Sequence, residues 1–234
     1  MIKFNNFDFQ NFCLKYSKLN AVNILKVMIK DIFRGRIVVT SSFGAESIVI
    51  LHLVSKVDRN TPIVFLNTGK LFPETLEYVD EVREKLKLNK IKILKPDPYE
   101  LKIQDKNNNL YKLNSDLCCH LRKVVPLQKA LQNYDAWING RKKFHGFERK
   151  NIKQIEKANG LIKINPLYSW DFKDIKNYIN KNKLPEHPLI KKGYKSIGCI
   201  PCTSKVADDE PQRSGRWNNK NKTECGIHTY NPLI

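Results

Sequence analysis

Short apolar runs alternate with stretches of helical period through most of this chain. Val22, Leu25, Met28, Ile29 and Ile32 recur at helical spacing, so Ala21 to Phe33 predicts a helix inside an all-helical segment, residues 1–35. Arg36 to Thr40 then reads as a buried strand, followed by a small-residue turn, Ser41 to Ser47, and an apolar helix from Ile48 to Val57. The pattern repeats: strand Pro62–Leu66, loop Asn67–Lys70, and a helix from Pro73 to Leu86 with proline at its start and acidic residues towards its N-terminal half. Further strands are expected at Ile91–Leu94, Ala136–Gly140 and Leu161–Asn165, with helices near Val124–Leu131 and Trp170–Asn180. Strands alternating with helices imply an α/β fold with a parallel sheet covered on both faces. A ligand of such a sheet binds beyond the carboxyl ends of its strands, where the Ser41–Ser47 and Asn67–Lys70 loops should meet. From Lys191 onward the periodicity fails, and the chain reads as an irregular, glycine-rich segment.

Composition changes this picture in two ways. An apolar content of 41% fits one soluble globular domain, and no stretch approaches the roughly 20 apolar residues of a membrane span. The N-terminal residues lack the apolar core of a secretory signal, so a cytoplasmic location is expected. The formal charge of +19, from 42 Lys and Arg against 23 Asp and Glu, calls for an anionic partner. The basic residues are spread through the chain, with no compact run interleaved with aromatics, which favours a small anion over nucleic acid.

The cysteines are the most specific chemistry. Cys118-Cys119 are adjacent, Cys199 and Cys202 form a Cys-x-x-Cys pair, and Cys225 lies alone near the chain end. In a reducing cytoplasm these read as metal ligands and thiols rather than disulfides. Four thiolates satisfy a 4Fe-4S cluster. A structural zinc site and four buried cysteines acting as small hydrophobes remain alternatives. Cys13, with no second cysteine nearby, has a structural role by default.

Taken together, Ser42-Phe43-Gly44-Ala45-Glu46, Leu66 to Thr75, Cys118 to Lys123, Trp137-Ile138-Asn139-Gly140, Gly198 to Thr203, Arg213 to Trp217 and Glu224-Cys225-Gly226-Ile227-His228 resemble the assimilatory adenylyl-sulfate reductases. These form the iron–sulfur branch of the phosphoadenylyl/adenylyl-sulfate reductase family, and the likeness covers nearly the whole chain beyond residue 35. It implies a Rossmann-like sheet of the adenine-nucleotide hydrolase (PP-loop) type with a mobile C-terminal segment. The corresponding division is a helical segment 1–35, a nucleotide-binding domain 36–205 carrying the cluster, and a flexible tail 206–234 carrying the catalytic cysteine.

The implied activity is reduction of adenylyl sulfate to sulfite and AMP, with thioredoxin or glutaredoxin as reductant and room for a homo-oligomer. By the same resemblance Cys225 is the nucleophile, and Cys118, Cys119, Cys199 and Cys202 hold one 4Fe-4S cluster. Ser41, Ser42, Phe43, Gly44 and Glu46 match the pyrophosphate loop, although PP-loops usually carry Ser-Gly-Gly and an Asp. Leu66, Gly69 and Gly140 match the adenosine wall. Lys123, Arg149, Arg213 and Arg216 match the positions that hold the phosphate–sulfate end, and His228 is placed with the anion or the tail. Asn67 stands where the family usually has Asp, and Arg141 to His145 departs from its usual paired arginines, acid and Gln. Reduction of the 3′-phosphorylated substrate, an ATP-using tRNA thiolase and a zinc-stabilised RNA-binding module are the competing readings.

Overall fold

The structure, a computed structural model, describes residues 6–158, 160–217 and 222–228. Residues 1–5 of the expected helical segment, and 218–221 and 229–234 of the expected tail, lie outside the described residues. At the centre is a six-stranded sheet in the order β3-β2-β1-β4-β6-β5. Its strands are β1 (Ile37–Ser41), β2 (Ile63–Leu66), β3 (Ile91–Leu94), β4 (Ala136–Ile138), β5 (Ile155–Ala158) and β6 (Leu161–Ile164).

Val39 pairs with Ile63, Val38 with Trp137 and Ile138 with Ile164, all in parallel. The sheet is not wholly parallel, because β5 returns antiparallel along β6. Chain progression runs outward from β1 to β3 and then restarts on the other side of β1 with β4. The switch point therefore lies between the carboxyl ends of β1 and β4, where a crevice must open.

Alternation along the strands builds a core on each face. Ile37 and Val39 look into the larger one, with α3 (Ser47–Val57), α4 (Pro73–Leu86) and α9 (Phe172–Lys181). Six residues of α3 are buried, Ile48 to Leu51 with Leu53 and Val54, as a helix pressed between sheet and neighbouring helices requires. The other face is smaller: Val38, Val64 and Trp137 pack on Leu127, Ala130 and Leu131 of α8 (Val125–Leu131).

The N-terminal helix α2 (Ala21–Lys26), which follows α1 (Asn6–Tyr16), runs on as a π-helix through Ile32. The buried face is Ala21, Ile24, Leu25, Met28 and Ile29, an i, i+3, i+4 stripe set mainly by the α-helical part, and Val22 lies off it, exposed. The expected stripe is corrected accordingly. Asp171 caps α9 in a reciprocal capping box with Asp174, which explains its sharp start. Three short helices that periodicity did not reveal, α5 (Pro98–Gln104), α6 (Leu110–Leu113) and α7 (Ser115–Cys119), lead into the first cysteine pair. No helix of the described residues is long and apolar enough to cross a membrane.

Two adjoining cavities share Lys123 and Cys199

The crevice at the switch point is a cavity of about 210 Å³. Its floor is apolar, from Ile50, Val64, Leu66 and Leu71, and its rim is polar. The end of β1 supplies Ser41, the turn after it Ser42, Gly44 and Glu46, and the loop after β2 Thr68, so the two expected loops do meet. Gly44 lies so close to residue 197 that a Cβ would sit 3.0 Å from the Ile197 carbonyl oxygen. Phe43 is not on the wall: its side chain is fully buried, edge-on to Phe65 at 5.2 Å, and its φ of 48° bends the turn. Holding a phenylalanine in left-handed backbone is strain compensated by that burial. Gly69 also lies off the wall, beside Arg122, whereas Gly140 after β4 is on it.

The segment after Gly140 contributes residues the motif reading did not assign. Lys142 Nζ lies 2.7 Å from Glu46 Oε2, and His145 Nε2 lies 3.1 Å from the same oxygen. Burial works against the Glu46 charge, but Lys142 and His145 outweigh it and hold its pKa near about 2. Burial also keeps His145 below its ordinary value, against the pull of Glu46. Four buried polar atoms on the cavity residues have no partner among the described residues: Asn139 Nδ2, Arg141 Nε, Trp217 Nε1 and His228 Nδ1. Such atoms each cost about 1–3 kcal/mol when left unpaired.

A second, much smaller cavity, of about 10 Å³, is bounded by Cys118, Cys119, Cys199 and Cys202 together with Lys70, Tyr111, Ser115, Arg122, Lys123 and Pro201. Cys118 and Cys119 are buried at the end of α7, where the helix widens into a π turn through Val124. Cys199 caps the 3₁₀ turn Ile200–Cys202, and Cys202 ends it. Among the described residues no group of three or more His, Cys, Asp or Glu side chains is set to hold one metal ion. A single tetrahedral ion would need its thiolates at about 2.3 Å from one point. A cluster instead spreads its ligands over separate irons. Four cysteines on one cavity fit a cluster's donor set, and the three cations on its wall, Lys70, Arg122 and Lys123, offset its negative charge. No disulfide joins any of them. Burial raises the Cys119 thiol to about 11, while Cys199, buried as well, is drawn below the ordinary thiol value by Lys123, Thr68 and Arg216.

Lys123 and Cys199 belong to both cavities. Burial disfavours the Lys123 charge, but Cys199, Cys225 and Cys119 more than restore it. Arg216 ties the cavities from the other side. Its Nε donates to the Cys202 carbonyl at 3.1 Å, and its guanidinium lies 4.5 Å over the Trp217 ring. A Cβ on Gly198 would fall 2.4 Å from that guanidinium and displace it from this place.

Cys225 reaches the larger cavity from the chain's far end, half-buried, with Gly226 behind it at φ 83°. Beyond it, Ile227 packs on the core of Val38 and Trp137, and the His228 ring stacks on Trp137 at 5.3 Å. Burial and then the surrounding cations Arg141 and Lys163 keep His228 neutral, well below its ordinary pKa. Arg149 and Arg213 are on the same wall, with their guanidinium groups turned on Glu224.

The fold and these cavities define a Rossmann-like α/β protein with an anion-receiving crevice and a thiol on its wall. The phosphoadenosine phosphosulfate reductase domain matches residues 36–205, and the chain belongs to that family. It is 44% identical over 216 residues to the adenosine 5′-phosphosulfate reductase of Chelativorans sp., covering 92% of this chain and 88% of that protein. Among solved structures, the phosphoadenylyl-sulfate reductase of Candida auris in its phosphate complex superposes with a TM-score of 0.73. It is 29% identical and covers 88% of this chain and 99% of that one. FMN adenylyltransferase of Candida glabrata, with FMN and an ATP analogue, shares the fold at a TM-score of 0.57 and 16% identity, over 96% of this chain and 85% of its own.

Proposed function

We propose that this protein reduces adenylyl sulfate to sulfite and AMP in the cytoplasm, through an S-sulfocysteine on Cys225. The observation that carries this reading is Cys225 on the wall of a cavity that Lys123, Arg213 and Arg216 also line. The reductases of known name to which the chain is similar support the substrate class.

The apolar floor with Leu66 and Gly140 takes the adenosine, and the turn of Ser41, Ser42 and Gly44 takes the phosphate. Glu46 keeps Lys142 and His145 at that end of the cavity. Lys123 and Arg216 hold the phosphate–sulfate end, where fixed cations suit tetrahedral oxyanions. The Cys225 thiolate attacks the sulfate sulfur, an S–S bond forms, the S–O bond to AMP breaks, and AMP leaves with that electron pair. Lys123 and the arginines offset the charge developing on the leaving phosphate. A thiol of thioredoxin or glutaredoxin then attacks Cys225, releasing sulfite and leaving a mixed disulfide. The reductant's second thiol resolves it, so both electrons come from the dithiol. The segment that carries Cys225 swings out to present the S-sulfo group, since a partner of that bulk does not enter the cavity.

Cys118, Cys119, Cys199 and Cys202 would hold one 4Fe-4S cluster. When bound it would supply a fixed charge beside Lys123 and a staple between α7 and the 198–203 turn.

Incubation with adenylyl sulfate and no reductant tests the reading. The peptide containing Cys225 should gain one SO₃ group, roughly 80 Da, with equimolar AMP released. Cys225→Ser should make no sulfite. The same mass on another cysteine, or faster turnover of the 3′-phosphorylated analogue, would sink the corresponding part.

A further inference from the structure

Glu224 precedes the nucleophile and is no bystander. Its carboxylate side chain is 8% exposed and is gripped from two sides. Arg149 donates to it through Nε, and through Nη2 to Oε2 at 3.0 Å. Arg213 stands 3.7 Å from Oε1 and gives Nη2 to the Thr223 carbonyl at 2.8 Å. Arg149 is itself aimed: its Nη1 lies 2.9 Å from His145 Nδ1, and the other nitrogen of that ring faces Glu46 at 3.1 Å. A continuous polar chain thus runs from Glu46 on the turn after β1, through His145 and Arg149, to Glu224 beside Cys225. Every hydrogen-bonding direction of Arg149 but one N–H of each terminal nitrogen is used in it. Glu224 and Cys225 are neighbours, so their Cα atoms are about 3.8 Å apart, and fixing one carboxylate fixes the approach of the thiol.

We infer that Glu224 is the positioning residue of the nucleophile: clasped by Arg149 and Arg213, it docks the chain before Cys225 in the cavity mouth. Ile227 and His228 dock the chain behind it, and Arg149 serves the tail through Glu224. The inference rests on Cys225 being the reacting thiol, but its docking is measurable without any substrate. Two guanidinium groups grip one largely desolvated carboxylate, the geometry in which charge-assisted bonds are strong. Removing the carboxylate also strands two partly buried cations, which adds to the loss.

The test uses the full-length holoenzyme without substrate and a polyethylene-glycol maleimide too bulky for the cavity, with modification read on the Cys225 peptide. Glu224→Gln and Arg149→Met should each speed Cys225 modification by about tenfold, as expected for loss of one charge-assisted pair. The double variant should react no faster than either single one, because both remove the same clasp. Single-turnover sulfonation of Glu224→Gln should slow by about the same factor, with AMP affinity within about twofold of wild type. Glu224→Asp should recover part of the protection, which keeps the test valid if a neutral variant folds poorly. Modification rates within about twofold of wild type in both single variants would overturn the clasp. So would unchanged modification with markedly tighter AMP binding in Glu224→Gln, because the carboxylate would then fill the substrate's place. Failure of adenylyl sulfate as substrate would leave the maleimide result readable and would count against the proposed reaction alone.

Discussion

The sheet with its helices and the segment from Lys191 to His228 are held together by different physics. In the sheet, Ile37, Val39, Ile63 and Ile138 are buried by alternation, and α3 buries six apolar residues in the same core. In the last segment the ties are side chain to carbonyl, guanidinium to ring and carboxylate to guanidinium: Arg216 to Cys202, Arg213 and Arg216 to Trp217, Arg149 to Glu224. Burial of apolar area sets stability and is indifferent to what binds. Polar ties are each directional and exchangeable with a charged ligand. Damage to the first region should therefore appear as lost stability, and damage to the second as lost chemistry with the fold retained.

The hardest break is at the seam between them. Cys202→Ser and Cys119→Ser should each leave the protein colourless, without its inorganic sulfide and without turnover, whereas wild type purified without air should be brown with about four irons and four sulfides per chain. Zinc in stoichiometric amount without sulfide would show a different centre. Within the last segment, Arg216→Ala should cost on the order of 2–4 kcal/mol of transition-state binding, read from kcat/KM, while colour and melting temperature stay near wild type. Kinetics unchanged from wild type would place Arg216 in a purely structural role against Trp217.

The same contrast explains what could be read in advance. Five of six strands and the helices α3, α4, α8 and α9 follow apolar periodicity, so their places were legible. Strand β5 was not, because Ile155-Glu156-Lys157-Ala158 carries two charges in four residues, as an edge strand tolerates. Helix α5 buries none of its residues, and α6 and α7 are too short to display a period. The cysteine set was legible by spacing, and the structure brings all four onto one cavity. Arg141, Lys142 and His145 were visible only as a departure from a family pattern, yet they line the larger cavity. The bond between Arg149 and Glu224 joins residues 75 apart in two irregular segments, where no periodicity announces a partner.

The smallest effect sharpens the comparison from the scaffold side. His187 is fully buried against α4, its ring 4.9 Å from that of Tyr78. The Leu189 N–H donates to Nδ1 at 3.2 Å, so Nε2 carries the proton and donates to Thr75 Oγ1 at 3.0 Å. A second proton would have to displace the Leu189 bond in a desolvated site. Burial accordingly lowers the His187 pKa to about 4, with Glu74 opposing the shift weakly. In the unfolded chain it returns to about 6.5. Between those values the unfolded state binds the extra proton, so the stability due to neutral His187 is complete above about pH 6.5 and is lost as pH falls towards 4. From pH 7 to pH 5 that loss is about 2 kcal/mol, at 1.36 kcal/mol per pKa unit. His187→Gln should be less stable than wild type at pH 7, with the gap narrowing by about that amount at pH 5 in urea unfolding. The rate of Cys225 sulfonation in the folded variant should be unchanged at pH 7. A gap that stays constant with pH would mean that His187 is charged inside the fold, and slowed sulfonation would mean that scaffold and closing segment are coupled after all.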